Sequence, residues 1–496
     1  MKTILFLLFF TSSLQLISSQ NNQDVSYRIK IQGTVSDATT KEPLPYVNIF
    51  EVRTYDGIIS NEQGRYAPAE LNAVPDDTIC FRHIGYKTKR IPLRILLRHP
   101  DVYLESNTFN ISEVTVFPDK FDPRSIVEKV LQNKALNYKA ITSEQKVFVR
   151  QRSVTDFNDF DIDLRKRTAE PIKQIAKNIN TMMNRKFISY TDFTGTYYTT
   201  ADKEDTVKTK LESTDALRLN PDMNALNLVA DSITNLSFLD VDTKEYWKMR
   251  TGIIGIELKD DRKSVPRDTV KKTRLNDSLG REPLVLLLKN INFNLGYTGF
   301  SDKDLWQFLY DPGKYNFKLE GGTVIGNEYA YIISFTPKKR GLYKGRMYIT
   351  SDTYALLRAD YEYAPGKTGK SIQLLGVGYT ENMFKASIYF EKNGDNYRLK
   401  QFSKQSDIHV TINRPLAFIK KRERRLFNKT LEDIKSNLTI EFTENESFEF
   451  FVIEEKNISE QDYRDVKQDI YYNVNYTGSV NSDSWSDFAK IVPAEL

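Results

Sequence analysis

Three histidines are the residues best suited to metal or acid–base chemistry in this chain. A zinc peptidase site needs a His-x-x-Glu pair and a distant histidine, which hold the metal and leave one position for water. His83, His99 and His409 are the three, and none of them is followed three residues later by a carboxylate. The sequence therefore predicts no zinc peptidase site, and so few histidines also argue against Ser-His-Asp and Cys-His catalysis.

The segment Ala364–Ser371 fits a relaxed phosphate-binding loop, with alanine in place of the first glycine. Such a loop cradles phosphate only when it joins a strand to the N-terminus of a helix. The residues after it, Ile372–Tyr379, have the apolar content of another strand. We interpret the segment as a hairpin turn carrying solvated lysines and predict no nucleotide binding.

A calcium-loop spacing occurs at Asp159, Asp161 and Asp163, with Glu170 at the position of the last ligand. The position that requires glycine for the sharp turn is Leu164, and three cations follow it. Hydrophobic residues alternate with the aspartates here, which indicates a strand with an acidic outer face. We predict no metal site and no cofactor.

The N-terminus predicts export. Residues 1–20 combine Lys2, the apolar run Ile4–Phe10 and the small pair Ser18-Ser19, the pattern of a secretory signal. Cys80 is the single cysteine, so intramolecular disulfides are excluded, as is lipid attachment at a cysteine beside the cleavage point. Cys80 lies in an apolar strand pattern and is interpreted as a buried structural thiol.

Composition favours a β-rich globular protein. Of 496 residues, 40% are hydrophobic and 12% aromatic, which suits extended sheets, and the net charge of +5 is too small to support nucleic-acid binding. The basic run Lys420–Arg425 is interpreted as a solvated loop or helix face. The alternative for this run is an electrostatic contact with lipid phosphates or an acidic protein surface.

Residues 27–117 have the pattern of a small β-sandwich. Apolar residues alternate with polar ones at Ile29, Ile31 and Val35, and again at Val47 and Ile49. Turn-forming residues separate these runs. Short strands at this spacing are typical of a sandwich.

This region resembles the carboxypeptidase-regulatory-like domain. The residues that carry the resemblance are Gly33–Asp37, Pro43–Ile49, Gly57–Tyr66, His83–Lys87, Val102–Leu104 and Ile111–Val116. The resemblance implies a transthyretin-like seven-stranded fold and an envelope location in Gram-negative bacteria, in a module that is structural or adhesive. Gly33, Pro43, Gly64 and Gly85 are expected at its turns or close backbone approaches.

The remaining residues, 118–496, predict an α+β body. Asp122-Pro123 begins a helix that runs to Leu136 and a strand follows at Lys146–Arg150, whereas residues 165–283 are interpreted as a polar helical insertion. Helices are predicted in the insertion at Pro171–Met183 and Asp222–Leu236. From Asn290 onward the pattern is an antiparallel meander, with a hairpin at Asn393-Gly394.

Within this body, three segments resemble the half-barrels of lipoprotein carriers of the LolA type: Tyr331–Phe335, Tyr343–Asp352 and Ala355–Arg358. That resemblance implies a curved sheet around a helix, enclosing an apolar cavity for acyl chains. The expected fold class is therefore mainly β, with a seven-stranded sandwich followed by an antiparallel sheet packed with helices.

The sequence predicts a non-enzymatic envelope scaffold or binding protein, in the periplasm or associated with the outer membrane. Its expected partner is an envelope protein or a lipid, and one version of this hypothesis gives the body a cavity for an apolar ligand. We assign no catalytic, cofactor-binding or metal-binding residue. Two alternatives stay open: an outer-membrane receptor or small barrel component, and a hydrolase that uses a pair of carboxylates. The oligomeric state is not specified.

Overall fold

The computed structural model describes residues 27–53, 57–109, 122–164, 170–183, 186–219, 245–251, 254–258, 279–424 and 428–478. The predicted signal, the segment Ile111–Val116 and the predicted helix Asp222–Leu236 lie outside the described residues. The chain divides into two compact units, with the boundary between Ser106 and Asn107.

The first unit is built from seven strands in two sheets, as the sequence predicts. The sheet orders are β4-β1-β7 and β3-β2-β5-β6. The elements are β1 Tyr27–Asp37, β2 Asn48–Glu51, β3 Gly57–Ile59, β4 Arg65–Ala73, β5 Thr78–Arg82, β6 Lys89–Pro92, the short helix α1 Leu93–Leu96 and β7 Val102–Leu104.

Apolar residues from both sheets form one core in the first unit. Val35 of β1, Ile49 of β2 and Phe81 of β5 are each 0% exposed and belong to the same cluster. Alternation at these positions places every second side chain toward this core, which is why the period-two pattern in the sequence identifies the strands.

All three of the expected glycine positions have a backbone reason. Gly64 has φ +71°, a left-handed conformation that a residue with a Cβ rarely adopts. A Cβ on Gly33 would lie 2.2 Å from the carbonyl oxygen of Pro100, so only glycine allows these two backbones to approach so closely. The turn at Gly85 also has positive φ, at +82°.

The second unit is dominated by a 16-stranded sheet. Its strands are β8 Thr108–Phe109, β9 Ser143–Leu164, β10 Lys186–Thr199, β11 Thr209–Leu219, β12 Glu245–Thr251, β13 Ile254–Leu258, β14 Leu279–Pro283, β15 Tyr315–Ile325, β16 Glu328–Pro337, β17 Tyr343–Thr350, β18 Leu356–Tyr363, β19 Ser371–Leu374, β20 Val377–Asn393, β21 Asn396–Arg422, β22 Lys429–Asn457 and β23 Tyr471–Thr477.

The strand order follows β14-β23-β11-β10-β9-β22-β21-β20-β18-β17-β16-β15-β8, with β12 added beside β21 and β19 beside β20. Nearly all neighbours are antiparallel, and the exception among these pairs is β11 with β23. Strands β9, β21 and β22 have 22, 27 and 29 residues, far beyond the common length of about 5–6. The parts of these strands near Leu164, Arg422 and Lys429 are called here the far ends, and they pair mainly with one another.

Six helices accompany this sheet in the described part of the chain. They are α2 Pro123–Gln132, α3 Lys134–Asn137, α4 Glu170–Met183, α5 Leu284–Leu295, α6 Gln307–Tyr310 and α7 Glu460–Asp465, with 3₁₀ turns at Gly296–Thr298 and Pro312–Lys314. The helix predicted at Asp122-Pro123 is confirmed, because the Asp122 side chain accepts a hydrogen bond from the Arg124 amide. It ends at Gln132, and Leu136 is 64% exposed.

Aromatic side chains attach α6 and the turn after α5 to one face of the sheet, called here the helix-bearing face. Trp306, fully buried before α6, lies 5.9 Å from the ring of Tyr361 on β18. Phe308 stacks on Phe335 of β16 at 4.4 Å. Tyr297 stacks on Phe402 of β21 at 6.4 Å, which continues the packing along the same face.

The polar stretch between residues 165 and 283 corrects the expectation of a helical insertion. Helix α4 is present where Pro171–Met183 predicted it, but strands β10 to β14 also lie in this stretch and belong to the large sheet. Strand β10 pairs with β9 over its whole length. The sequence looks polar although β10 is buried on both faces at its centre, where Tyr190 and Asp192 lie on one side and Thr191 and Phe193 on the other.

Candidate functional site: two apolar rows across the large sheet

The histidines lie on separate elements. His83 packs its ring against Tyr86 at 5.3 Å in the first unit, and His99 follows helix α1 there. His409 is in β21 of the second unit, where its Nε2 is 3.1 Å from Glu441 on the next strand. In the part of the chain that the structure describes, no group of three His, Cys, Asp or Glu side chains could hold a metal ion.

The phosphate-loop match is followed by a strand, as the sequence indicates. Residues 364–370 form the connection after β18, and β19 then pairs antiparallel with β20. The prediction of one strand through Tyr379 was wrong in detail, because the chain reverses at Leu375-Gly376 between β19 and β20.

The calcium-loop match lies on a strand. Residues Asp159, Asp161 and Asp163 belong to β9, and their neighbours Phe160, Ile162 and Leu164 point to the other face. Asn180 of α4 donates to Asp161 and accepts from the amide of Ile162. A side chain of α4 therefore binds both a carboxylate and a backbone amide of this part of β9, in agreement with the strand interpretation.

Cys80 lies in the core of the first unit and is 2% exposed. Burial raises the pKa of its thiol, although Arg90 and Arg82 act in the opposite direction. We expect alkylation by iodoacetamide at pH 8 to be slow in the folded protein and fast after unfolding in guanidinium, because the thiolate is the reactive form. Mass spectrometry of the alkylated fraction measures this, and rapid labelling of folded protein would contradict a structural role.

The basic run Lys420–Arg425 was predicted as a loop or helix face, and this was wrong for Lys420–Arg422, whereas Glu423 and Arg424 form an exposed loop after the strand. Residues Lys420 to Arg422 end β21 and pair with β12. Glu245 of β12 forms ion pairs with Lys420 at 3.3 Å and with Arg422 at 2.5 Å, so part of the charge is neutralised within the sheet. Arg425 lies outside the described residues.

Carboxylates gather at a surface pocket between β20, β21 and β22. Glu391, Glu454 and Glu455 line it together with Lys392, Arg398 and Lys400. Arg398 is 3.2 Å from Glu455, and Lys392 is 2.8 Å from Glu328. Ion pairs on this scale are typical of a structural surface, and the pocket offers no isolated pair of carboxylates for hydrolysis.

The long strands carry a different kind of surface on the helix-bearing face. Residues that pair directly across antiparallel strands have side chains on the same side of the sheet. Following those pairs through β19, β20, β21, β22 and β9 gives two unbroken apolar lines, called here the apolar rows. The first row is Ile372, Tyr379, Val410, Phe442 and Phe157, and the second is Leu374, Val377, Ile412, Ile440 and Phe160.

The apolar rows are open to different degrees along their length. The eight members on β20, β21, β22 and β9 are half-buried, whereas Ile372 and Leu374 on β19 are 56% and 64% exposed. Phe157 contacts Phe442, Phe160 and Phe187 with ring centroids 5.3–6.0 Å apart. The rows thus begin in solvent at the edge strand β19 and end in a cluster of phenylalanines at β9.

The opposite face of the same strands is polar. The residues there, aligned beside the rows, are His409, Thr411, Glu441, Thr443 and Asp159. An antiparallel sheet with one apolar and one polar face normally buries the apolar side. Helix α6 and the turn after α5 pack on other parts of the helix-bearing face, against Phe335, Tyr361 and Phe402, whereas α4 packs against the end of β9. Among the described residues, this part of the sheet therefore carries an apolar surface that is half-buried on β9, β20, β21 and β22 and exposed at β19.

Polar groups border the rows, among them the carboxylates of Glu381 and Glu444, which flank Ile408 beside the first row. Glu381 accepts hydrogen bonds of 3.0 Å from the hydroxyls of Tyr363 and Tyr379 and from the amide of Lys370. Burial and the nearby Glu381 charge raise the pKa of Tyr379 to about 12. The Tyr379 hydroxyl is thus kept protonated at neutral pH, and its ring stays available as an apolar surface in the first row.

The reversal between β19 and β20 is unusual in its residue types. Leu375 has φ +50° and Gly376 has φ +77°, and Leu374 pairs with Val377. Two-residue hairpins with positive φ at both central positions favour Asn-Gly or Gly-Gly. Leucine is disfavoured there because its Cβ crowds the following carbonyl. Leu375 is also 64% exposed, so packing within the described residues does not account for it.

A charged cluster is buried in the opposite face, near the middle of the sheet. Arg150 donates from Nε and Nη2 to the two oxygens of Asp192, each at 2.7 Å, and lies 3.8 Å from Glu449. The side chains of Arg150, Asp192 and Glu449 are 5%, 0% and 7% exposed. Burial alone would lower the pKa of Arg150, but the charge of Asp192 raises it above its ordinary value. The cluster joins β9, β10 and β22.

The first unit corresponds to a known domain family. Residues 31–116 match the CarboxypepD_reg-like domain, which confirms the resemblance found in the sequence. No curated protein matches the chain. None of the described helices is long and apolar enough to cross a membrane.

Solved structures with partial likeness include a LolA superfamily protein, NE2245 from Nitrosomonas europaea, with 9% identity and a TM-score of 0.17 over 70% of this chain and 99% of that one. A putative outer membrane lipoprotein-sorting protein domain from Vibrio parahaemolyticus gives 8% identity and a TM-score of 0.20 over 69% and 97%. These are the kinds of protein that the sequence resemblance named. At such TM-scores the likeness carries no argument about function.

Proposed function

We propose that this chain is an exported, non-enzymatic binding protein whose second unit holds a long acyl chain of a lipid along the apolar rows. The continuous pairing of ten apolar side chains across five strands carries this proposal. In this proposal the first unit serves as a structural module, and the predicted signal at residues 1–20 supports an envelope location.

The dimensions of the rows support an acyl chain as the occupant. Neighbouring strands lie about 4.8 Å apart, so a row across five strands is about 19 Å long. One leaflet of a bilayer is half of a hydrocarbon core of about 30 Å, so a membrane acyl chain spans about 15 Å. The rows contain no charged residue, and their single polar atom is the Tyr379 hydroxyl bound to Glu381.

The test uses mature protein purified without detergent from its native envelope, followed by lipid mass spectrometry of organic extracts. We expect about one lipid per chain in the unsubstituted protein. Ile440→Lys places a charge in the second row, where desolvation opposes it, so bound lipid should fall about tenfold or more. Circular dichroism and the Tm establish that the variant is folded.

Thr439→Lys is the matched control, because Thr439 precedes Ile440 in β22 and faces the other side of the sheet, opposite Asp161. It should retain the lipid of the unsubstituted protein. Equal loss from both variants, or protein that contains no lipid at all, would count against the rows as a binding surface and favour a scaffold that works through protein contacts.

A further inference from the structure

The edge of the sheet where the rows begin is a second surface with its own composition. Three large aliphatic side chains occur within four residues there, Ile372, Leu374 and Leu375, with exposed fractions of 56%, 64% and 64%. Single exposed aliphatic residues are common on soluble proteins, but a contiguous group marks an interaction surface. We call these three residues the β19 tip.

Cations occur on both sides of the β19 tip along the chain and beside its turn. Lys370 directly precedes β19, and the side chain of Arg414 packs beside Gly376. Lys367 donates to the carbonyl oxygen of Lys339, which brings the exposed turn Lys338–Arg340 alongside. Glu381 is an acidic residue next to Lys370. It is half-buried and accepts hydrogen bonds from Tyr363, Tyr379 and the Lys370 amide. Its charge is therefore directed into the sheet.

The residue types favour a lipid surface over a protein partner. Energetically important residues of protein interfaces are mostly Trp, Tyr and Arg, and leucine is under-represented among them. Aliphatic side chains bordered by lysines are instead typical of proteins that lie on membranes, where the apolar groups enter the acyl boundary and the cations meet anionic headgroups. Lysine stems also pack on apolar surface while their charge stays in water.

We propose that the β19 tip docks the protein on an anionic lipid bilayer. The left-handed backbone at Leu375 agrees with this, since a disfavoured leucine is retained at a turn where its side chain faces solvent. Docking at β19 would bring the open end of the apolar rows to the membrane surface. The inference does not depend on whether the rows hold a lipid.

The test is co-sedimentation of the full mature protein with vesicles, made either of phosphatidylcholine alone or of equal parts phosphatidylcholine and phosphatidylglycerol. We expect binding to the anionic vesicles, weakened by salt because the lysines are screened. The affinity of the variant Ile372→Gln/Leu374→Gln/Leu375→Asn for the anionic vesicles should be lower by about tenfold or more. Lys367→Gln and Lys370→Gln should each reduce binding about fivefold.

Three variants keep the result interpretable. Leu375→Asn alone should raise the Tm, because asparagine tolerates positive φ, while it weakens vesicle binding. Leu136→Gln removes an aliphatic residue with the same exposed fraction, 64%, and should bind normally. Ile440→Lys, which tests the rows, should also dock normally, so failure of the lipid site and failure of docking are distinguishable.

Absence of sedimentation with anionic vesicles would overturn the proposal, as would a tip variant that binds like the unsubstituted protein. Equal losses from the tip variant and Leu136→Gln would do the same, because they would indicate non-specific adsorption. Self-association of the protein through the tip in solution, without binding to vesicles, would assign the surface to a second copy of the chain.

Discussion

Replacing Asp192 with alanine should lower the free energy of unfolding by about 3–5 kcal/mol. Arg150 is 5% exposed and donates two hydrogen bonds to this carboxylate. Without Asp192 the guanidinium stays buried but loses the carboxylate that accepts its two 2.7 Å hydrogen bonds, and Glu449, 3.8 Å away, does not replace them, so its desolvation is no longer fully offset. Guanidinium unfolding monitored by circular dichroism measures the change.

The matched control removes the charges together. In Arg150→Met/Asp192→Leu/Glu449→Met no buried charge is left unpaired, and apolar replacements of a buried ionic cluster are often neutral or stabilising. The triple variant should therefore be much more stable than Asp192→Ala. A triple variant that is as unstable as the single one would mean that volume and not charge determines the stability of this part of the sheet.

Replacing Trp306 with alanine should also lower the free energy of unfolding by about 3–5 kcal/mol. Trp306 is fully buried, and its ring contacts Phe300, Phe308 and Tyr361 at centroid distances of 4.8–5.9 Å. The truncation leaves a cavity where α6 meets the helix-bearing face, and these aromatic neighbours cannot collapse into it without breaking their other contacts.

Two further variants separate volume from polarity at this position. The Trp306 Nε1 is buried without a hydrogen-bond partner among the described residues, so Trp306→Phe loses no such bond and should cost much less than alanine. Leu136→Ala, at a residue 64% exposed, should change stability by less than about 0.5 kcal/mol. Similar losses for Trp306→Phe and Trp306→Ala would contradict the cavity explanation.

Local signals were enough to predict several elements. Asp122-Pro123 predicted the start of α2, since a side-chain cap and a proline in the first turn act within a few residues. The alternation of apolar and polar residues at Ile31 and Val35 predicted a strand of the sandwich, because this pattern also extends over only a few residues. The hairpin at Asn393-Gly394 is present, with Asn393 paired to Asn396 and a loop of Gly394 and Asp395.

The candidate site depends on information that the sequence does not display locally. The members of the first row come from five strands between Phe157 and Phe442, and only the pairing registers bring them together. The one available signal was the alternation of Phe160, Ile162 and Leu164 with aspartates, which predicted the strand but not its neighbours. The turn at Leu375 was missed because leucine is rare at positive φ.

A photoactivatable fatty acid with a diazirine near its methyl end tests most directly whether the rows hold an acyl chain. After irradiation with the purified protein, peptide mass spectrometry locates the adducts. We predict adducts on row residues of β9, β21 and β22, led by Phe157, Ile412 and Ile440, and their loss in Ile440→Lys. Adducts on the opposite face at His409 or Thr443, or labelling unchanged by the substitution, would contradict it.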